Sequence, residues 1–251
     1  SIAFQSEMVK ATGRVEDFAG QAQAMKSQMD GLTIGLSHTR ETLKALNLGF
    51  GDFKSISGEN RKELEKTTTL LVALGVSGNT AVGFMDGLVK TFGFTGKEAA
   101  GIAKQFKALS DTVKFTTEEM MNGFESAQAS LGVFGKDSVK IFASIAKMAD
   151  KTGVAITSLQ GLADNFNTFG DGAKMVGDLN TALQGNYFNL EQMMELDPDE
   201  QIQKIKEVVQ ARFGDIESLD KHYKRMIASA MGMSNTAEAM ALLSDKTKES
   251  T

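Results

Sequence analysis

The chain has 251 residues, a length that suits one large domain or two small ones. Its 27 Lys and Arg residues against 32 Asp and Glu residues give a net charge of −5. This balance argues against a dedicated nucleic-acid-binding face, because such a face concentrates positive charge. The absence of Cys excludes disulfide scaffolds, thiolate zinc sites and cysteine nucleophiles, while one Pro, two Tyr and no Trp favour a helical protein over a β-rich one. The sequence begins with Ser1, from which we expect a segment of a longer chain.

An apolar stripe with heptad spacing runs through the first quarter of the chain. Its positions alternate steps of four and three residues, and only Thr39 is polar. A spacing that averages about 3.5 residues keeps one edge of a helix facing a partner helix. We therefore predict that the stripe is an assembly seam between helices, with an ordinary amphipathic helix on its own domain as the alternative. The predicted assembly seam consists of Phe4, Met8, Ala11, Val15, Phe18, Ala22, Met25, Met29, Leu32, Leu36, Leu43, Leu46, Phe50 and Phe53.

A short junction pattern recurs after the seam. In it an apolar residue ends one helix, Gly adopts the left-handed conformation, a second apolar residue folds back, and Ser, Thr or Asp caps the next helix. Copies occur at residues 74–77, 92–95, 134–137, 169–171, 213–215 and 231–234, with looser copies at 113–116 and 152–157. Four helix starts carry a further capping signal: Thr95 with Glu98, Thr116 with Glu119, Thr157 with Gln160, and Asp197-Pro198 with Glu200.

The junctions divide the remaining chain into short helices. Three pairs of junction glycines have the same spacing in sequence, which suggests stacked helical hairpins: Gly75 and Gly93, Gly135 and Gly153, and Gly214 and Gly232. We predict an all-α fold, in which a long N-terminal heptad-patterned helix or helical hairpin precedes an array of short helices joined by Gly-capped turns. The expected domains are a helical assembly segment over residues 1–58, a compact multi-helix domain over 59–245 and a polar tail over 246–251.

The sequence shows no pattern typical of a catalytic or metal site. His38 and His222 lie far apart, neither has metal-ligand spacing, and the charged surroundings of His222 predict a solvated helix face. An acidic run fits a solvated loop followed by a helix start, although docking of a basic partner or a cation is left open; it comprises Glu191, Glu195, Asp197, Asp199 and Glu200. We expect no catalytic residue, no cofactor and no metal, and hence a protein that is not an enzyme.

The longest uncharged stretch covers residues 67–85 and has the length of a membrane span. Polar residues interrupt it, and Gly75-Val76-Ser77 has the pattern of a helix stop. We therefore predict a buried helix-turn-helix, with contact between this stretch and a membrane left open.

The heptad-like lead-in, together with the Leu-Gly-Val-Ser and Met-Gly-Met-Ser junctions, resembles bacteriophage tail tape-measure proteins. Residues 74–92 and 231–243 are the segments most similar to that family. The resemblance implies a mainly helical structural protein of the virion, located in the phage tail and, during assembly, in the host cytoplasm. It implies a role in viral tail assembly and tail length, with release at genome ejection. The implied partners are tail tube or baseplate hub proteins, and no specific nucleic acid.

The apolar seam adds a further expected partner, which is a second copy of the chain in a homo-oligomeric helical bundle or coiled coil. Because a helix rises by a fixed distance per residue, a helical segment can set a length. We hypothesise that residues 4–53 form the assembly seam and that residues 59–245 form a compact region at one end of the tail. Two other function classes remain as alternatives: a membrane-active or cell-wall-degrading ejection protein, and a non-viral helical adaptor or scaffold module.

Overall fold

The computed structural model describes residues 2–29, 34–56 and 58–244. Within these residues the secondary structure is helical and contains no β-strand, which confirms the predicted all-α class. The chain divides into two compact units, which we call unit 1 (Ser1–Lys136) and unit 2 (Asp137–Thr251). The expected boundary near residue 58 therefore lies inside unit 1, and the expected polar tail over 246–251 lies outside the described residues.

Unit 1 consists of short helices. They are α1 (Ile2–Thr12), α2 (Phe18–Ser27), α3 (Leu36–Gly49), α4 (Gly58–Ala73), α5 (Gly78–Lys90), α6 (Gly96–Ser110), α7 (Thr117–Ser126) and α8 (Gln128–Leu131), followed by a 3-10 turn over Gly132–Asp137.

The heptad-patterned segment, predicted as one long helix or a helical hairpin, is divided among α1, α2 and α3. The first break follows α1, because Gly13 has a φ of +67°, a conformation that ends a helix and that Gly adopts at no steric cost. Asp17 then starts α2 by accepting a hydrogen bond from the backbone N–H of Gly20. As a result Val15, which the heptad pattern placed on the seam, lies in the connection and is 94% exposed.

The helices of unit 1 stack in order along the chain. Helix α3 packs on α4 and α5, α4 packs on α5 and α6, and α5 packs on α6 and α7. The helices that stack on one another begin at similar intervals, at residues 36, 78 and 117 and at residues 58 and 96. Of the three glycine pairs that predicted stacked helical hairpins, only Gly75 and Gly93 lie together in this stack. The boundary expected near residue 58 falls within its continuous packing.

The centre of unit 1 is an aromatic cluster. Phe84 of α5, Phe106 of α6 and Phe124 of α7 are each at most 1% exposed. Their ring centroids lie 4.6 to 5.6 Å apart in tilted and edge-on arrangements, which are the favourable geometries for aromatic pairs. Three successive helices therefore share one core.

Most of the junction predictions are confirmed. Gly75, Gly93, Gly153, Gly214 and Gly232 all have positive φ at or just after helix ends. Thr95 and Thr116 each accept a hydrogen bond from the backbone N–H three residues later, and each donates its own backbone N–H to the Glu there. Pro198 is the first residue of its helix, as predicted.

Two junction predictions are wrong. Residues 169–171 form the first turn of a helix rather than a junction, because Thr168 provides the cap through a hydrogen bond from the backbone N–H of Asp171. Thr157 lies inside a helix that begins at Ile156, and Gln160 is buried on its core-facing side. In both cases the helix starts before the residue predicted to cap it.

Unit 2 has a different order of contacts. Its helices are α9 (Ser138–Thr152), α10 (Ile156–Asp164), α11 (Phe169–Leu183), α12 (Leu190–Glu195), α13 (Pro198–Phe213), α14 (Lys221–Ala230) and α15 (Thr236–Leu243). Helix α13 packs on α9 and α10, and α14 packs on α11. Helices distant in sequence therefore enclose the core of unit 2.

Candidate functional site

The predicted assembly seam lies largely inside unit 1. Ten of its members are buried, Leu36 is half-buried, Ala11 and Val15 are exposed, and Leu32 lies outside the described residues. Six members from α1, α2 and α3 pack against one another in a single cluster: Phe4, Met8, Phe18, Ala22, Met25 and Leu43. The stripe is therefore an intramolecular core in this structure. A role in self-assembly stays a prediction, and it would require these helices to separate.

Charged side chains cover the edges of this N-terminal core. The guanidinium carbon of Arg40 lies 5.6 Å from the centre of the Phe4 ring, and that of Arg14 lies 5.7 Å from the centre of the Phe18 ring. Arg14 also donates a hydrogen bond of 2.9 Å to the side chain of Asn47 on α3. Side chains of the same chain therefore cover the edges of the apolar stripe.

The acidic run occupies α12 and the start of α13. Glu191, Glu195 and Glu200 are exposed, whereas Asp197 is half-buried. The pKa of the Asp197 carboxyl is raised, mainly by burial and next by the nearby charges of Glu200 and Asp199. Glu200 accepts a hydrogen bond of 3.0 Å from the backbone N–H of Asp197. The run thus starts a helix, as predicted. In the described part of the chain, no group of three or more His, Asp or Glu residues is arranged to hold a metal ion.

The two histidines have local roles at helix starts. Nδ1 of His38 accepts a hydrogen bond of 3.1 Å from the backbone N–H of Gly35, the residue that precedes α3. His222 is exposed on α14, as predicted, and its backbone N–H donates to Asp220. The capping role of His38 was missed because His is not a typical residue for that position.

The candidate interaction site of unit 1 is a cleft of about 470 Å³ between two of the recurring junctions. One wall is formed by residues 74–76, at the end of α4, and the other by residues 113–117, at the start of α7. We call it the junction cleft. The stacking of α4 on α6 and of α5 on α7 brings the two junctions together, although α5 and α6 separate them in sequence.

The junction cleft combines exposed apolar side chains with polar groups. Leu74 is 61% exposed, and Val113 and Phe115 are half-buried. The hydroxyls of Ser110 and Thr117 lie 2.7 Å apart in its lining. Glu118, also in the lining, accepts a hydrogen bond from the hydroxyl of Thr80. A partly apolar groove with polar sides is suited to receiving a side chain of another protein.

Sequence reasoning identified both junctions but not the cleft between them. The signal for each junction is local, because a helix end, a Gly and a cap are close in sequence. Their proximity depends on which helices stack, which neither local junction pattern specifies.

The uncharged stretch over residues 67–85 folds as predicted, as the end of α4, a turn, and the start of α5. None of the described helices combines the length and the apolar character that a membrane span requires.

Comparison of the chain with protein-family models, with curated protein sequences and with solved structures found no significant match. The resemblance to tape-measure proteins therefore remains a prediction from the sequence.

Proposed function

We propose that this chain is a structural, non-enzymatic component of a phage tail. In the proposed role it resembles a tape-measure protein: it helps to organise the assembly of the tail tube and hub and the length of the tail, and it leaves the virion when the genome is ejected. The observation that carries the proposal is the ordered helical stack of unit 1, which includes the Leu-Gly-Val-Ser junction at residues 74–77, one of the two junctions on which the family resemblance rests. Stacked helical modules provide a defined length and an extended surface for assembly.

The proposed partners are a tail tube protein or a baseplate hub protein. The junction cleft offers exposed Leu74 beside half-buried Val113 and Phe115, which suits an apolar side chain on such a partner. The proposed location is the virion after assembly and the host cytoplasm before it. Self-association in a helical bundle is a further proposal, which the burial of the seam makes conditional on separation of α1, α2 and α3.

The test is made in the phage that encodes the chain. Mass spectrometry of purified virions is expected to detect its peptides, and an early stop codon in its gene is expected to give tails that are missing or irregular in length. Supplying the unaltered gene from a plasmid is the control and should restore normal tails. Virions that lack the chain and retain normal tails would rule out the proposed function.

A second candidate function, an adaptor or scaffold outside any virion, is favoured by the same cleft. Cross-linking mass spectrometry in the cells that express the chain would then identify a cellular partner. Leu74→Glu, which places a charge in the cleft, should abolish the cross-links, whereas Lys97→Glu on the exposed start of α6 should retain them. Detection of the chain in purified virions would decide against this candidate.

A further inference from the structure

The two units differ in how far apart in sequence their packed helices are. Among the described residues of unit 1, every extensive contact joins a helix to the next helix or to the next but one. In unit 2, by contrast, α9 packs on α13 and α11 packs on α14, which places two or three helices between the contacting partners. Unit 1 is therefore a nearly one-dimensional stack, and unit 2 is a closed globular core.

Polar contacts between α4 and α6 follow the same order. Asn60 of α4 accepts a hydrogen bond from the backbone N–H of Lys97 at the start of α6, 3.3 Å away. Glu63 of α4 forms an ion pair of 3.3 Å with Lys104 of α6. These contacts tie α4 to α6, the helix stacked on it, and they break when that one pair separates.

We infer that unit 1 is an extensible element, which lengthens under tension by releasing one helix pair at a time, whereas unit 2 opens in a single step. The stability of a stack is approximately the sum of the stabilities of its repeats and of the interfaces between neighbouring repeats. A helix pair at the end of the stack can therefore unfold while the remaining pairs stay folded. In unit 2 neither α9 nor α11 can leave without breaking a contact with a helix much further along the chain. This inference concerns the mechanics of the fold, and it stands whether or not the chain belongs to a phage tail.

The size of each step follows from the repeat length. A step releases the chain between the starts of two stacked helices, for example from Leu36 of α3 to Gly78 of α5. Helices as short as α5, with 13 residues, and α7, with 10 residues, are marginal in water once separated from their neighbours, so a released pair unravels. At about 3.3 to 3.6 Å per extended residue, each step should add at most about 15 nm of contour length. An element that yields in small, regular increments can adapt its length to a tube or a gap.

Single-molecule force spectroscopy on the full chain tests the inference. Because the chain has no Cys, Ile2→Cys and Val133→Cys give two unique attachment points at positions that are 90% and 81% exposed. Pulling between these two points should lengthen the chain in a series of steps, each of which adds at most about 15 nm of contour length. An increment of about 25 nm or more, which corresponds to two or more pairs opening together, would overturn the inference.

Unit 2 supplies the matched comparison in the same molecule. Attachment at Lys140→Cys and Ser234→Cys, both exposed positions, should give one increment of about 31 to 34 nm. Division of that increment into steps of a helix pair would contradict the difference between the units. A second variant, Phe124→Ala, removes a buried side chain from the shared core of unit 1. It should lower the force at which unit 1 lengthens and leave the force at which unit 2 opens unchanged.

Discussion

The carboxylate of Glu41 accepts a hydrogen bond of 2.9 Å from the backbone N–H of Gly78 and so joins α3 to the first turn of α5. That N–H has no partner within its own helix, and a negative charge at a helix start is favourable. The approach is close, because a Cβ at residue 78 would lie only 3.0 Å from the Cβ of Ala45. This contact links two helices that stack although they are not adjacent in sequence.

Glu41→Ala should lower the free energy of unfolding by about 1 kcal/mol, because it leaves the N–H of Gly78 without its acceptor. Urea denaturation followed by circular dichroism measures the change. Glu41→Gln retains a side-chain oxygen and is the matched control, for which we expect a smaller loss. Equal stability of the alanine variant and the native chain would contradict the structural role of this contact.

Phe18→Asp should unfold the N-terminal helices rather than only prevent association. Phe18 is fully buried beside Met8 and Ala22, so a carboxylate there loses the packing of the ring and places a charge in an apolar core. We expect a loss of more than about 3 kcal/mol in the free energy of unfolding, with lower helicity. Val15→Asp, also on the predicted seam but 94% exposed, should change stability by less than about 0.5 kcal/mol.

Size-exclusion chromatography with light scattering on the same two variants separates the two roles of the seam. If Val15→Asp disrupted an oligomer while the chain remained folded, the exposed part of the stripe would form an intermolecular contact. If Phe18→Asp stayed as helical and as stable as the native chain, the intramolecular packing described here would be wrong.

Gly93→Ala and Gly101→Ala should change stability in opposite directions. Gly93 has a φ of +72°, and a Cβ added at this residue would have no atom within 4 Å. The only cost of Ala at this position is therefore the strain of the left-handed backbone conformation, which is about 1 to 2 kcal/mol. Gly101 lies within α6, also in open space, and Ala should stabilise the helix by about 0.5 to 1 kcal/mol. Thermal denaturation of both variants under identical conditions tests the pair. A stabilising effect of Gly93→Ala would show that the junction does not require the left-handed conformation.

The carboxyl of Glu98 should titrate well below its usual range. The backbone N–H of Thr95 and the ammonium of Lys136, 3.0 Å from the second carboxylate oxygen, lower its pKa to about 2. Since the folded pKa lies below the unfolded value of 4.5, the ionised form stabilises the fold above that value, and this contribution is lost as the pH falls from 4.5 towards 2.

An NMR titration of the side-chain carboxyls measures this shift directly. Lys136→Met should raise the pKa of Glu98, because it removes a hydrogen bond and a positive charge. Glu119, whose pKa is lowered by the N–H and hydroxyl of Thr116, is the internal control and should not respond. A pKa of Glu98 near 4.5 in the native chain would contradict the capping geometry.

Local features were largely determined by the sequence itself. Thr95 with Glu98, Thr116 with Glu119 and the Gly at each helix end act over a single helical turn, so their geometry does not depend on the rest of the fold. The exceptions were residues 169–171, where Thr168 caps the helix instead, and Thr157, which lies inside a helix whose first residue, Ile156, is buried. The heptad spacing likewise identified apolar faces of the N-terminal helices, since ten of the fourteen predicted seam residues are buried.

The tertiary structure decided which surfaces cover those faces. The heptad stripe from Phe4 to Phe53 indicates an apolar edge, but burial in a partner molecule and burial in the same chain remove the same surface from water. The left-handed turn at Gly13 allowed α1, α2 and α3 to fold onto one another, and so an expected assembly seam became a core. The junction cleft and the contrast between a stacked unit 1 and a closed unit 2 also arise from long-range packing, which no short segment of sequence specifies.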